Sequence, residues 1–135
     1  MDIREVDGSF AVAAQIAPGD IAQLHDAGFR TIMCNRPDGE SADQAPVDAI
    51  RAEAESHGMA FHHIPVAGGI FPQDAVDLFR KVRQESEGPL LAYCRSGTRC
   101  MTLETLANPL DLEVEERLER AAQAGYDLEM LRPHL

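Results

Sequence analysis

Leu90-Leu91-Ala92-Tyr93 is a short, unbroken apolar run, and it ends directly on Cys94-Arg95-Ser96-Gly97-Thr98-Arg99-Cys100. Bounded by Gly88-Pro89, such a run reads as a buried strand. A helix-like segment from about Thr98 to Leu106 follows the loop. Strand, tight loop and helix in that order aim the loop N–H groups and the helix N-terminus at one point, which makes an anion site. The same dipole and the guanidinium groups of Arg95 and Arg99 favour a thiolate at Cys94. A free thiol titrates near pH ~8.5, and such surroundings bring that down to roughly 3.5–7.5. A thiolate facing an anion pocket suits nucleophilic attack on an anionic substrate.

The rest of the chain alternates strands with helices around this unit. Ile3 to Val6 and Phe10 to Ala14 read as a hairpin split by Asp7-Gly8. Pro18 opens a helix that Gly28 stops. Thr31 to Asn35 is a buried strand, with Cys34 as a core residue. Pro46 to His57 is a helix, and Ala60 to Val66 a strand followed by the loop Ala67-Gly68-Gly69-Ile70-Phe71. Pro72 opens a helix to about Glu85, with Val76, Phe79 and Val82 facing inward. Val114 to Ala124 is a further helix, and Asp127 to Leu131 a last turn before Pro133. The pattern predicts one α/β domain over residues 1–135, a central, mostly parallel sheet of four to five strands flanked by helices in three layers. Ligands of such folds sit at the C-terminal strand ends. The loops 36–44, 67–71 and 94–99 therefore enclose the expected site.

The balance of 12 basic against 23 acidic residues, a net charge of -11, argues against general nucleic-acid binding. The arginines of the Cys94 loop are a local positive spot on an acidic protein. Three cysteines make no secreted disulfide framework, and no spacing suggests zinc. Neither a metal nor a cofactor is expected. The N-terminus has no apolar signal region and no run is long enough to span a membrane, so a cytoplasmic location without membrane association is expected.

The loop Cys94 to Arg99 resembles the active loops of cysteine-dependent protein tyrosine and dual-specificity phosphatases and of rhodanese sulfurtransferases. Asn35-Arg36-Pro37-Asp38-Gly39-Glu40, His63-Ile64-Pro65-Val66, Tyr93 to Arg99 and Ala124-Gly125-Tyr126-Asp127 together resemble the bacterial phosphatase-like domains of unknown function 442, found alone or fused to beta-lactamase-like hydrolases. The resemblance covers nearly the whole chain and implies a dual-specificity-phosphatase-like fold. Members are described both as phosphatases and as sulfurtransferases of persulfide metabolism.

Three departures from the phosphatase pattern bear on the reaction. The signature Cys-x5-Arg is here Cys-x4-Arg, the rhodanese length. The loop Ala67-Gly68-Gly69 has no acid to protonate a leaving oxygen, and the nearest carboxylate is Asp74 at a helix start. Such an acid contributes about 10²–10⁴-fold. Cys100 replaces the usual Ser or Thr, and Tyr93 the usual His.

The sequence-based expectation is thus a sulfurtransferase. Cys94 would carry sulfur as a persulfide from a small anionic donor to a thiol acceptor, with a persulfide dioxygenase-like hydrolase as an expected partner. The alternatives are a phosphatase acting on a phosphoester through a phosphocysteine, with Asp74 as its acid, and a non-catalytic anion- or persulfide-sensing module. Cys94 and Arg99 are the catalytic candidates. Arg95, Ser96, Gly97, Thr98 and Arg36 are the anion-binding ones, with Glu40 available to hold Arg36. Cys100 is either a resolving thiol or a small buried packing residue.

Overall fold

The computed structural model describes all residues from Met1 to Leu135. Its strands are β1 (Ile3–Asp7), β2 (Phe10–Ala13), β3 (Thr31–Cys34), β4 (Ala60–His63) and β5 (Leu90–Tyr93). Its α-helices are α1 (Ile21–Asp26), α2 (Val47–Ser56), α3 (Gln73–Glu85), α4 (Thr98–Ala107) and α5 (Val114–Gln123). The sheet order is β1-β2-β5-β3-β4. Only the β1–β2 hairpin is antiparallel. The expected phosphatase-like α/β architecture is present, with five strands.

The strand that carries Cys94 is the middle one. Parallel β2 and β3 flank it, with Ala92 opposite both Val12 and Met33. Its side chains alternate between two cores. Leu90, Ala92 and Cys94 pack with Phe79 of α3, Leu103 of α4 and Ala121 of α5. Leu91 and Tyr93 pack with Leu24 of α1 and Ile50 of α2. Burial on both faces explains why the run is apolar without alternation.

Several boundaries differ from the sequence reading. β4 stops at His63 rather than Val66. Pro65 has no N–H for a ladder, and the Asn35 amide captures the Ile64 carbonyl at 3.0 Å. The segment after Gly125 is a 3₁₀ helix, Glu129–His134, that runs through Pro133 instead of ending before it. Its bonds from Leu131 to Leu128 and from Leu135 to Arg132 leave the missing proline N–H unneeded. The segment opened by Pro18 is a 3₁₀ turn, Pro18–Asp20, before α1.

Helix α4 is fixed by one charge. The Glu104 side chain is 1 % exposed and receives Arg83 of α3 through two bonds of 2.7 and 2.8 Å. The Arg83 guanidinium also lies over the Phe10 ring, 4.3 Å from its centroid. Arg120 of α5 stands 3.6 Å from the same carboxylate. Removing one partner of a buried pair leaves an uncompensated charge and costs about 3–5 kcal/mol. Glu104→Ala should lower unfolding stability by that amount, read from urea denaturation. Unchanged stability would mean that the pair contributes nothing to seating α4.

Candidate active site

Cys94 is the first residue after β5, and it is 0 % exposed. The Gly97 N–H points back at its sulfur from 3.1 Å. The Cys100 side chain is the main influence favouring the thiolate, opposed by burial. The N–H groups of Cys100, Ser96 and Arg99 add to it, and the Cys94 pKa falls to about 5. Cys100 shifts the other way: burial, then the bond and charge of Cys94, hold it well above the ordinary thiol range. One sulfur is therefore the acceptor and the other the donor.

The loop turns through Gly97, whose φ of +90° is left-handed. A Cβ there would lie 2.2 Å from the Tyr126 hydroxyl oxygen. That hydroxyl donates to the Ser96 carbonyl at 3.0 Å. Tyr126 thus braces the back of the loop, a role the sequence reading did not assign although the residue lies in a segment that carried the family resemblance. The Ser96 and Thr98 hydroxyls bond to each other at 3.1 Å and stay exposed. Thr98 does not cap α4; Gly97 occupies the cap position.

Arg99 reaches two partners besides the loop. Its guanidinium holds both oxygens of Glu40, at 2.7 and 2.8 Å, and the Val66 carbonyl at 2.9 Å. The pairing with Glu40, and then the charge and bond of Cys94, raise its pKa. Glu40 in turn falls to about 2, through Arg99 first and Arg36 second.

The sequence reading made Arg36 an anion ligand, but its donors are already bonded within the protein. Its side chain is 4 % exposed. Its Nε is on Glu40 at 2.8 Å and its Nη1 on Gln15 Oε1 at 2.9 Å, with Ser41 Oγ at 3.4 Å. Its fork is committed inside the protein, so it acts on the loop through Glu40. The expected Arg36–Glu40 contact is present, and the second grip on Arg99 is what the sequence did not reveal. Gln15, just beyond β2, was missed for lack of any local signal.

Asp74 is exposed in the first turn of α3, where its carboxylate accepts the Ala75 N–H at 2.9 Å and complements the helix dipole; it makes no bond to any residue of the Cys94 loop. Cys34 is core, its thiol on the Arg36 carbonyl at 3.3 Å. His63 Nε2 is satisfied by the same carbonyl at 2.9 Å. The largest cavity, about 700 Å³ and lined by Arg30, His62, Lys81 and Glu85 among others, opens by the starts of β3 and β4. It lies at the opposite end of the sheet from Cys94 and plays no part in this site.

Residues 2–110 match the family model described as beta-lactamase hydrolase-like protein, phosphatase-like domain. A beta-lactamase hydrolase-like protein of Xylella fastidiosa is 30% identical over 130 residues, covering 95% of this chain and 30% of the relative. One from Agrobacterium fabrum is 32% identical over 115 residues, 85% of this chain and 27% of its own length. The chain thus spans about 30% of the length of the curated relatives it matches. Among solved structures, a candidate phosphatase from Neisseria meningitidis is 36% identical with a TM-score of 0.84, over 98% of this chain and 95% of that one. The catalytic core of the PP-IP phosphatase SIW14 from S. cerevisiae shares the fold at 14% identity and a TM-score of 0.71, over 98% and 81% of the two chains. These relatives support the phosphatase alternative better than the sulfur-transfer expectation. None points to a sulfur donor, a thiol acceptor or a dioxygenase partner. No helix is long and apolar enough to cross a membrane.

Three outcomes follow for the loop. Alkylation of Cys94 by iodoacetate should be fast above pH about 5 and should fall about tenfold per pH unit below it, as the thiolate is protonated. Cys100→Ala should move that midpoint upward and Cys100→Ser should largely keep it; an unmoved midpoint in Cys100→Ala would remove the donor role. Gly97→Ala, which forces a Cβ against Tyr126 at a left-handed φ, should also raise the midpoint while the far-ultraviolet circular dichroism stays native.

Proposed function

The chain belongs to the phosphatase-like domain family of the beta-lactamase hydrolase-like proteins, and on that footing we propose that it is a cysteine-dependent phosphatase. The observation that carries this reading is a buried sulfur that accepts the Gly97 N–H at 3.1 Å, with its pKa lowered by the loop around it and with Arg99 held beside it by Glu40. Those groups fit the oxygens of a phosphoryl group, whose charge catalysis must stabilise.

Cys94 attacks phosphorus, forming the S–P bond as the bond to the leaving oxygen breaks. Water then attacks the phosphocysteine, releasing inorganic phosphate and returning the thiolate. Arg99 and the loop N–H groups hold the non-bridging oxygens through both steps. Glu40 orients Arg99, and Arg36 with Gln15 orients Glu40. The loop Ala67 to Phe71 offers no carboxyl group, and Asp74 is turned to solvent. The leaving group therefore departs as an anion and takes its proton from water, which favours esters of acidic alcohols and anhydrides.

Sulfane-sulfur transfer through a Cys94 persulfide is the second reading. The Cys-x4-Arg spacing favours it, as does the acid-free loop, since a sulfite or thiolate leaving group needs no proton. One pair of assays decides between them: p-nitrophenyl phosphate hydrolysis and thiosulfate:cyanide transfer, each on wild type, Cys94→Ser and Arg99→Ala. Phosphate release should dominate, vanish in Cys94→Ser and drop about 10²–10³-fold in Arg99→Ala, the usual cost of removing a transition-state donor. Sulfur transfer faster than phosphate release would reverse the assignment. Neither activity, with anion binding retained, would favour a sensing module.

A further inference from the structure

Beside the Cys94 loop, at the C-terminal ends of β2 and β3, lies a cavity of about 230 Å³. Its walls are Gln15, Arg36, Ser41, Asp43, Gln44 and Arg95, without one apolar residue. Nearly every polar group in the wall is spent on a neighbour. Gln15 binds Arg36 and the Ile16 carbonyl, at 2.9 Å each. Gln44 accepts the Glu40 N–H and donates to the Pro37 carbonyl, at 2.9 Å each. The Asp43 carboxylate takes the Ser41 hydroxyl at 2.7 Å.

Arg95 is the exception. It is exposed, and its guanidinium makes no hydrogen bond or ion pair. Its backbone is nonetheless fixed, because its carbonyl accepts the Gln15 N–H at 3.2 Å. A guanidinium carries five N–H donors in a planar fork that matches phosphate and carboxylate. This one is attached to the residue next to the nucleophile, over a rigid polar recess. Asp43, the one negative group in the wall, is taken by the Ser41 hydroxyl, and with Arg36 paired to Glu40 Arg95 is the cation left for a ligand.

We propose that this recess is a second-anion subsite, in which Arg95 holds a phosphate or carboxylate carried by the same small substrate whose phosphoryl group faces Cys94. The substrate class is then a small phosphate compound with a second anionic group, phosphoanhydrides included, rather than a phosphotyrosine side chain. The volume is below the roughly 300–1,000 Å³ of drug-sized pockets, and the wall gives an aromatic ring nothing to pack on. The exposed apolar side chain of the site loops, Ile70, belongs to the loop after β4, away from this recess. The net charge of -11 makes such a substrate dependent on a local cation for capture. The chemistry rests on the phosphatase reading; the binding does not.

Two measurements test the subsite separately from the reaction. In Cys94→Ser, calorimetric titration should show inorganic pyrophosphate binding at least about tenfold tighter than inorganic phosphate, the scale of a charge-assisted bidentate contact. Adding Arg95→Ala should erase that advantage and Arg95→Lys should restore part of it. In the active protein, Arg95→Ala should lower kcat/KM about 30-fold for pyrophosphate or phosphoenolpyruvate, whose leaving groups are acidic, and only about threefold for p-nitrophenyl phosphate, which lacks the second anion. The two bis-anionic probes tell whether phosphate or carboxylate is preferred. Equal losses on all substrates, no pyrophosphate advantage in Cys94→Ser, or preference for a phosphotyrosine peptide would overturn the proposal. Arg95-dependent pyrophosphate binding without any hydrolysis would sink the phosphatase reading and leave the subsite standing.

Discussion

A negatively charged sulfur with no exposed surface must find inside the protein the solvation it gives up. At Cys94 that replacement comes from N–H groups turned inward, the Cys100 thiol and the Arg99 guanidinium. None of these donors is available unless α4 starts where it does. Its start is fixed at one end by the left-handed turn at Gly97 and along its length by the buried Glu104–Arg83 pair. A charge pair in the core and a charge in the active loop are thus linked by a single helix of ten residues. Burial of β5 on both faces supplies the rigid base from which the loop springs.

A second line of charges approaches from the neighbouring strand. Arg36 is nearly as buried as the sulfur and would be costly alone. Gln15 and Glu40 satisfy it, and Glu40 passes the constraint to Arg99. The carboxylate between two guanidinium groups does different things on each side: it neutralises the buried Arg36 and aims the partly buried Arg99. Residues following three adjacent strands, β2, β3 and β5, thereby meet at one end of the sheet, where parallel α/β folds carry their chemistry.

Local pattern revealed a good part of this. The apolar run before Cys94, the glycine in the loop and the helix stops at Gly28 and Gly125 are written in neighbouring residues, and from them the mostly parallel sheet and the candidate nucleophile could be read. What escaped was set by contacts distant in sequence. Arg99 and Glu40 are 59 residues apart, and Tyr126 and Ser96 are 30 apart. Glu104 and Arg83, 21 apart, look like ordinary surface residues of amphipathic helices until both are found buried. The length of the Cys-x4-Arg loop was read as favouring sulfur, whereas the family's likeness leans toward phosphate; a count of residues fixes the loop's size but not the donors that face into it. Asp74, proposed as an acid from its place in the sequence, sits in the first turn of α3 with the Ala75 N–H on its carboxylate.

The brace behind the loop carries a mechanical implication. Arg4 of β1 donates to the Ala124 carbonyl, 120 residues away in sequence, and its guanidinium lies 5.6 Å from the Tyr126 ring centroid. The two ends of the chain are therefore clasped together directly behind Ser96 and Gly97, and the stretch matched by the family model stops at 110, short of half the clasp. The backbone that cradles the sulfur is therefore held from behind by residues of the first strand and of the segment after the last α-helix, and not by its own helix alone.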